Sequence, residues 1–249
     1  MLQLEFLSAA VPLLKRPANK DNQMAILFTE KYGKVGVLLQ SGRKITSKLT
    51  AHVEPGSVAE VLYVQGKKIK RLIGAKQIKR HENIWENYYK LASCLYFFEV
   101  FNQLVKSDYP DTQLYHLLRY FLETLNSEAI KDELESRFFT ALMIYRLLYL
   151  LGYQSFEGTC QSCQKDLSGA ACFVFERGEI QCDECARGVG ERGKINLPEN
   201  LLDICKQLST SSDLKIKLSV VDKENFINFN QFLLGYNLDY PVVGQKLFI

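Results

Sequence analysis

Residues 24–39 read Met24-Ala-Ile-Leu-Phe-Thr-Glu-Lys-Tyr-Gly-Lys-Val-Gly-Val-Leu-Leu39. Two short apolar runs, Met24–Phe28 and Lys34–Leu39, are separated by the loop chemistry of Tyr32-Gly33-Lys34, which predicts two strands joined by a turn. The same alternation extends in both directions. Gln3–Leu7, Val58–Val64 and Ile69–Gly74 are further short runs rich in Val, Ile, Leu and aromatics. Phe6–Leu14 reads as the first strand and the turn after it. Pro17–Asn22, Ser41-Gly42-Arg43-Lys44, Pro55-Gly56-Ser57 and Gln65-Gly66-Lys67 punctuate the runs. Gly66 between two such runs is a hairpin signal. Five short strands in so small a stretch suit a closed barrel, because closure removes the exposed sheet edges.

From residue 81 the period changes. Ile84, Tyr88, Leu91, Leu95 and Phe98 recur at three- and four-residue steps, as do Leu114, Leu118, Phe121 and Leu125, and then Leu134, Phe138, Leu142, Tyr145 and Leu148. These are amphipathic helices whose stripes form a core. Asp111 is the expected N-cap of the second, Ser127 that of the third, and Gly152 the expected stop. A further helix is expected from near Pro198 through Leu208, and another over Glu224–Leu234. Leu214, Ile216, Leu218 and Val220 alternate as a strand would. The fold class is therefore α+β, a small barrel followed by a helical domain, with the boundary between residues 80 and 81.

Charge divides the chain at the same place. Of 31 Lys and Arg and 28 Asp and Glu in 249 residues, the first 80 residues hold 15 and 5, a net of +10; the remainder hold 16 and 23, a net of −7. Such asymmetry argues for a polyanion-binding module joined to something else. The candidate contacts are Lys31, Lys34, Arg43, Lys44 and Lys48, in or beside glycine-containing turns, and Lys67, Lys68, Lys70 and Arg71 around Gly66. Only four of the 29 aromatics, Phe6, Phe28, Tyr32 and Tyr63, lie in this part, so base stacking cannot dominate. Binding directed at the phosphate backbone, tolerant of sequence and strongly salt-dependent, is expected.

Seven cysteines occur, and their spacing says more than their number. Cys160-Gln-Ser-Cys163 is followed, eighteen residues on, by Cys182-Asp-Glu-Cys185. Two C-x-x-C knuckles at this separation fit a tetrahedral zinc site, with Phe173-Val174-Phe175 and Ile180 in a hairpin between them. Four thiolates leave no open position, so the zinc would be structural. The competing readings are an iron site of similar spacing, disulfides and a redox pair. The absence of a secretion signal disfavours disulfides, and no thioredoxin-like βαβ pattern accompanies the knuckles. Cys172 could substitute as a ligand. Cys94 and Cys205 fall on apolar helical stretches and read as core.

Enzyme motifs fail on context. His52-Val-Glu54 lacks the following P-C-x-x-C of zinc deaminases. Gly188-Val-Gly190-Glu-Arg-Gly193 has no strand leading into it, so it is a poor nucleotide loop. Leu91–Phe101 and Ala141–Leu151 are the most apolar later stretches, contain Glu99 and Arg146, and are each about half the length needed to cross a bilayer. A soluble, intracellular, non-enzymatic protein is expected, without membrane association.

The ordered set of these features resembles the bacterial recombination mediator family RecO. Met24 to Lys34 is similar to that family's strand and turn ending in Thr-Glu-x-x-Gly-Lys, and Gly42-Arg43-Lys44 with Ser47-Lys48-Leu49 to its basic loop. Leu147-Leu-Tyr-Leu-Leu-Gly-Tyr153 ahead of the knuckles resembles its helix-to-zinc junction, and Leu233 to Leu247 its C-terminal helix and tail. The resemblance implies an OB-fold barrel over residues 1–80. It implies a helical domain over 81–249 with an inserted four-cysteine zinc finger in 153–196. It further implies binding of single- and double-stranded DNA, strand annealing, and partnership with RecR. Contact with the C-terminal tail of single-stranded-DNA-binding protein, help in loading RecA, and a cytoplasmic, nucleoid-associated location follow from it too. The rival of another class is a zinc-stabilised interaction scaffold whose basic barrel binds an acidic protein.

Overall fold

In a computed structural model, residues 4–43, 48–106, 108–153, 156, 158–167, 169, 171–210 and 218–238 are described. β1 (Glu5–Pro17), β2 (Gln23–Thr29) and β3 (Gly33–Leu39) lead to a four-residue helix α1 (Lys48–Ala51), then β4 (Ser57–Gln65) and β5 (Lys70–Arg80). The five strands form a closed barrel in the order β1-β2-β3-β5-β4. All pairings are antiparallel except β3 with β5, where Val37 and Leu38 lie opposite Lys70 and Arg71 in parallel register.

The strand ends differ from the sequence expectation in two places. The expected first strand and turn are one strand, because β1 serves two neighbours. Glu5–Ala10 pair with β4 and Ala10–Pro17 pair with β2. A register shift between Pro12 and Leu14 supplies the bend. β5 likewise continues six residues past Gly74, with shifts opposite Val58/Ala59 and Leu62/Tyr63 that coil it around the barrel. Local composition hides this, since Lys76, Lys79 and Arg80 are polar and only the pairing with β4 keeps them in a strand. Ala10, Leu27, Val37, Val61, Tyr63 and Leu72 fill the interior, and Leu49 and Val53 pack into it from and just after α1. Phe6 stacks on Tyr63 with ring centroids 5.1 Å apart.

The β2–β3 turn needs glycine. Gly33 has φ +66°, and a Cβ there would fall 2.2 Å from the carbonyl oxygen of Tyr109. The Thr29 hydroxyl accepts from the Tyr32 amide at 3.0 Å and donates to the Gly33 carbonyl at 2.9 Å, closing the turn.

Helices α2 (Glu82–Glu86), α3 (Tyr88–Leu104), α4 (Thr112–Asn126) and α5 (Glu133–Leu150) follow. The periodic run expected as one helix from Ile84 breaks at Asn87, whose extended backbone and side chain cap α3 by accepting from the Lys90 amide. Asp111 caps α4 as expected, accepting from the Leu114 amide at 3.0 Å. Ser127 does not begin α5; it closes α4, its hydroxyl donating to the Thr124 carbonyl. Asp132 takes the capping role, accepting from the Glu135 amide at 2.8 Å. Phe28 packs edge-on against Phe101, and Phe121 lies between Phe97 and Phe139, so α3 sits on the barrel, α4 on α3 and α5 on α4. Arg16 of β1 grips Glu99 of α3 through both carboxylate oxygens, at 3.1 and 3.2 Å.

The chain divides into two units, the first running to Thr140 and the second beginning at Ala141, within α5. At the end of α5, Gly152 (φ +77°) donates to Tyr149 and Tyr153 donates to Leu148, a Schellman stop at the glycine expected to provide it. The second unit contains β6 (Ala171–Val174), β7 (Glu179–Cys182), β8 (Lys194–Leu197), α6 (Glu199–Thr210) and α7 (Val220–Asn237). The sheet order is β7-β6-β8, so the expected hairpin gains a third strand that no alternation in the sequence announces. α7 begins at Ser219 and Asp222, which form a reciprocal capping box. Of the expected strand over Leu214–Val220, residues 214–217 lie outside the described residues; Leu218 is in no strand and Val220 is helical. The C-terminal tail to Leu247 that carried part of the resemblance also lies outside them from residue 239 onward.

Candidate nucleic-acid interface and metal centre

The two knuckles are presented by the β6–β7 ladder. Cys182 ends β7 opposite Ala171. The Gln161 amide donates to the Ile180 carbonyl at 3.0 Å, and the Ile180 amide donates back to the Gln161 side chain at 2.6 Å, binding the first knuckle to the strand before the second. The tight turn after Cys160 is closed by Gln164, whose amide donates to the Cys160 carbonyl at 2.8 Å and whose φ is 63°. In the second knuckle the Ala186 amide donates to the Cys182 carbonyl at 3.0 Å.

As a result the Sγ atoms of Cys160, Cys163, Cys182 and Cys185 all lie within 4.8 Å of one another. Zinc–sulphur bonds of about 2.3 Å in a tetrahedron require sulphur–sulphur edges near ~3.8 Å. The Cys163–Cys182 separation is 3.8 Å. The Cys182 amide donates to the Cys160 sulphur at 3.3 Å, the bond that a ligating thiolate accepts. Burial opposes ionisation of Cys160, but the amides of Cys182, Cys163 and Ser162 outweigh it and hold its thiol down to about 6. Hydrogen bonds from Cys163 and Cys182 push Cys185 up to about 12. The four sulphurs can hold a metal ion, and the donor set fits it in spacing and chemistry.

Cys172 stands outside this group. It is buried on β6 with its thiol directed at Asp183 and Asn196, 3.5 and 3.4 Å away. Cys94 and Cys205 are fully buried helical residues; burial raises both thiols, Cys205 to about 12.

The basic residues of the barrel separate into three sets. Arg43 is exposed beside the β1–β2 turn, its amide donating to the Asp21 carbonyl at 3.1 Å. Lys67 and Lys68 are exposed in the β4–β5 turn, and Lys70 and Arg71, half-buried, begin β5 alongside the last residues of β3. Because β2 and β3 start and end here too, with Gln23 opposite Leu39, these turns share one end of the β2–β3 ladder. Lys31 is exposed at the other end, in the β2–β3 turn. Lys34 departs from expectation. Its ammonium donates to the carbonyls of Asn102, at 2.8 Å, and Val105, at the C-terminus of α3, and is not available to a phosphate. Lys44 lies outside the described residues; Lys48 opens α1, and its side chain lies outside them as well.

Two stretches of this molecule match descriptions of one protein family. Residues 6–81 match "Recombination protein O N terminal" and residues 86–234 match "Recombination protein O C terminal". The chain belongs to the RecO family. It is similar to the "DNA repair protein RecO" of Thermodesulfovibrio yellowstonii, 24% identical over 249 residues that cover 94% of this chain and 95% of that one. The protein of the same name from Caldanaerobacter subterraneus subsp. tengcongensis is 25% identical over 176 residues, 71% of this chain and 69% of its own. That from Dehalococcoides mccartyi strain BAV1 is 25% identical over 217 residues, 86% and 83% of the two chains.

Within this RecO-family barrel, two further cations outside the set expected from sequence are exposed: Lys20, in the β1–β2 turn beside Arg43, and Lys76, on β5. Lys20 was findable, since it falls inside the Pro17–Asn22 punctuation. Conversely, four of the N-terminal cations are engaged in ion pairs among the described residues: Lys15 with Glu54, Arg16 with Glu99, Lys79 with Glu123 and Arg80 with Glu82. None of the ion pairs among the described residues involves Lys20, Lys31, Arg43, Lys67, Lys68, Lys70, Arg71 or Lys76. Among the described residues no helix is long and apolar enough to cross a membrane.

Proposed function

We propose that this chain is a DNA-binding recombination mediator of DNA repair, acting by holding and pairing strands and not as an enzyme. The observation that carries the reading is the set of exposed cations around the turns of a closed barrel, outside every ion pair among the described residues. A barrel of five strands in the order β1-β2-β3-β5-β4 is the arrangement expected of an OB-fold, whose β1–β2 and β4–β5 loops bind nucleic acid in other proteins. Lys20 and Arg43 stand at the first loop here, Lys67 and Lys68 at the second. Family membership and relatives named for DNA repair support the same reading.

The division of labour proposed is a nucleic-acid-binding domain over 1–80 and a helical domain over 81–249, with zinc held in 153–196 by Cys160, Cys163, Cys182 and Cys185. The zinc would order a segment with little core of its own, a role worth roughly 10–16 kcal/mol of apparent binding energy in small peptides. The cationic barrel would lower repulsion between two phosphate chains and leave base edges open, which suits annealing. RecR, the acidic tail of single-stranded-DNA-binding protein and help in loading RecA complete the proposal, in the bacterial cytoplasm on the nucleoid.

The test is gel retardation of single-stranded DNA across a salt series, with metal analysis of the same preparation. With about five phosphates neutralised, the slope of log K against log salt is near −3.5. A variant carrying Arg43→Glu, Lys67→Glu and Lys68→Glu should anneal complementary strands far more slowly. Unchanged annealing by that variant, or no retention of DNA at low salt, overturns the reading in favour of a protein-binding scaffold.

A further inference from the structure

The outer face of the β2–β3 ladder is covered at one end only. Ala25, Leu27, Val35, Val37 and Leu39 belong to the barrel interior. Side chains alternate along a strand, so Met24, Ile26, Phe28, Lys34, Gly36 and Leu38 face outward. α3 takes one end of this outer face: Phe28 packs against Phe101, and Lys34 donates to the carbonyls of Asn102 and Val105. At the other end Met24 lies opposite Leu38, and Ile26 opposite Gly36. Met24, Ile26 and Leu38 are half-buried and Gly36 is exposed. This open end spans about 7 Å along the strands, room for one flat ring system.

Gly36 has no explanation in the barrel itself. It sits inside β3, in a ladder that runs from Gln23–Leu39 to Thr29–Gly33 without a register shift, so no bulge calls for it. Its backbone lies outside the left-handed region that Gly33 occupies. Among the described residues, a Cβ at Gly36 would meet only Met24 Sδ, at 3.9 Å, an ordinary contact. A side chain would therefore fit, and a β-branched one would suit a strand better. Glycine within a strand often marks a bulge, a bend or the close approach of a ligand to the backbone. With no bulge and no crowding at Gly36, close approach is the reading left for this exposed position.

The open end is also the charged end. Leu38 lies beside Arg71 of β5 in parallel register, and because Leu72 is interior, the half-buried Arg71 shares the outer face. Lys20, Arg43, Lys67 and Lys68 stand exposed in the turns around it. On the β1 side Arg16 lies opposite Met24 and holds Glu99, which neutralises that carboxylate. An apolar floor with a glycine in it, bordered by cations, matches a ligand that is flat and apolar in its middle and anionic at its ends.

Resting on the DNA-binding reading of the barrel, we infer that Met24, Ile26 and Leu38 seat one unpaired base of a single strand, which passes over Gly36 with its phosphates directed to Arg71 and the turn cations. Only an unstacked base can offer its face to this floor. In a duplex the faces are stacked on one another, and the phosphates meet the turn cations alone. Gly36 thereby sets the preference for single strand over duplex. It sets none for sequence, because every base has a flat face.

The probe is a fluorescein-labelled dT strand of about 15 nucleotides, free or paired with its dA complement, titrated with the full zinc-loaded chain and followed by anisotropy. Gly36→Val fills the space over the floor and removes no cation. It should weaken single-strand binding more than about fivefold and duplex binding less than about twofold, with the salt slope and thermal midpoint of wild type. Ile26→Thr keeps a strand-forming residue but removes aliphatic floor, and should act in the same direction. Lys67→Glu with Lys68→Glu should weaken both ligands, since it acts through phosphate. If Gly36→Val melts well below wild type, Ile26→Thr decides, read as the ratio of single-strand to duplex affinity. Equal losses for the two ligands, or no loss for the single strand, overturn the inference and leave DNA binding by the barrel standing. A wild-type chain that retains neither ligand overturns the DNA reading and this inference with it.

Discussion

The ammonium of Lys34 sits 2.8 Å from the carbonyl oxygen of Asn102, and it also donates to Val105. A cation placed on the last carbonyls of a helix satisfies groups that the helix itself cannot. The contact joins the β2–β3 turn to α3, so a lysine that belongs by sequence to the basic set belongs by structure to the scaffold. Burial lowers its basicity, and Asp108 partly restores it.

Lys34→Ala should therefore destabilise the chain by about 1–3 kcal/mol, the usual cost of leaving buried carbonyls unpaired. Urea denaturation measures this. Single-stranded DNA affinity of the folded variant should change less than about twofold, in contrast to Lys67→Glu with Lys68→Glu; a large loss of affinity with unchanged stability would return Lys34 to the interface.

Gly33→Ala combines a left-handed backbone with a Cβ 2.2 Å from the Tyr109 carbonyl. A loss of more than about 2 kcal/mol is expected, since strained φ alone costs about 1–3 kcal/mol. Wild-type stability in thermal melts would show that the 108–109 segment yields freely.

Cys163→Ser should lower bound metal well below one equivalent per chain. Protease cleavage within 153–196 should accelerate in this variant and in chelator-treated wild type, because the apolar cluster beside the second knuckle, Cys172, Val174 and Ala186, is small. DNA retention by the barrel should survive both treatments. Full metal content in the serine variant would remove Cys163 from the ligand set.

Glu123 is expected to contribute to the acid sensitivity of the first unit. The hydrogen bond from Lys79 holds its carboxyl below 4.5; burial opposes this and buried His81, with Nε2 3.5 Å away, adds to it. A depressed carboxylate contributes stability that is fully present above the unfolded value near 4.5 and is lost as pH falls through the folded one. Glu123→Gln should be less stable than wild type at neutral pH, with the difference closing as pH falls below 4.5 and through the lowered folded value. A constant difference across an acid titration followed by circular dichroism would assign the pair no role.

The alternation of Met24–Leu39, the helical stripes and the paired knuckles are local patterns, and each is readable because backbone period and ligand spacing are carried by neighbouring residues. Asp111 and Gly152 are readable as caps for the same reason. Ser127 and Asp132 are not distinguishable in sequence, since both are good capping residues and only the packing of α4 decides where that helix ends.

What the sequence determined by itself is the class of the protein: a basic stranded segment, amphipathic helices after it, and four thiols spaced for one metal. Tertiary structure alone decided which cations are paired with a protein group. Lys34, Lys15, Arg16, Lys79 and Arg80 look like their neighbours in composition, yet each meets a carbonyl or carboxylate at least 35 positions away, or, for Arg80, two positions away across the end of β5.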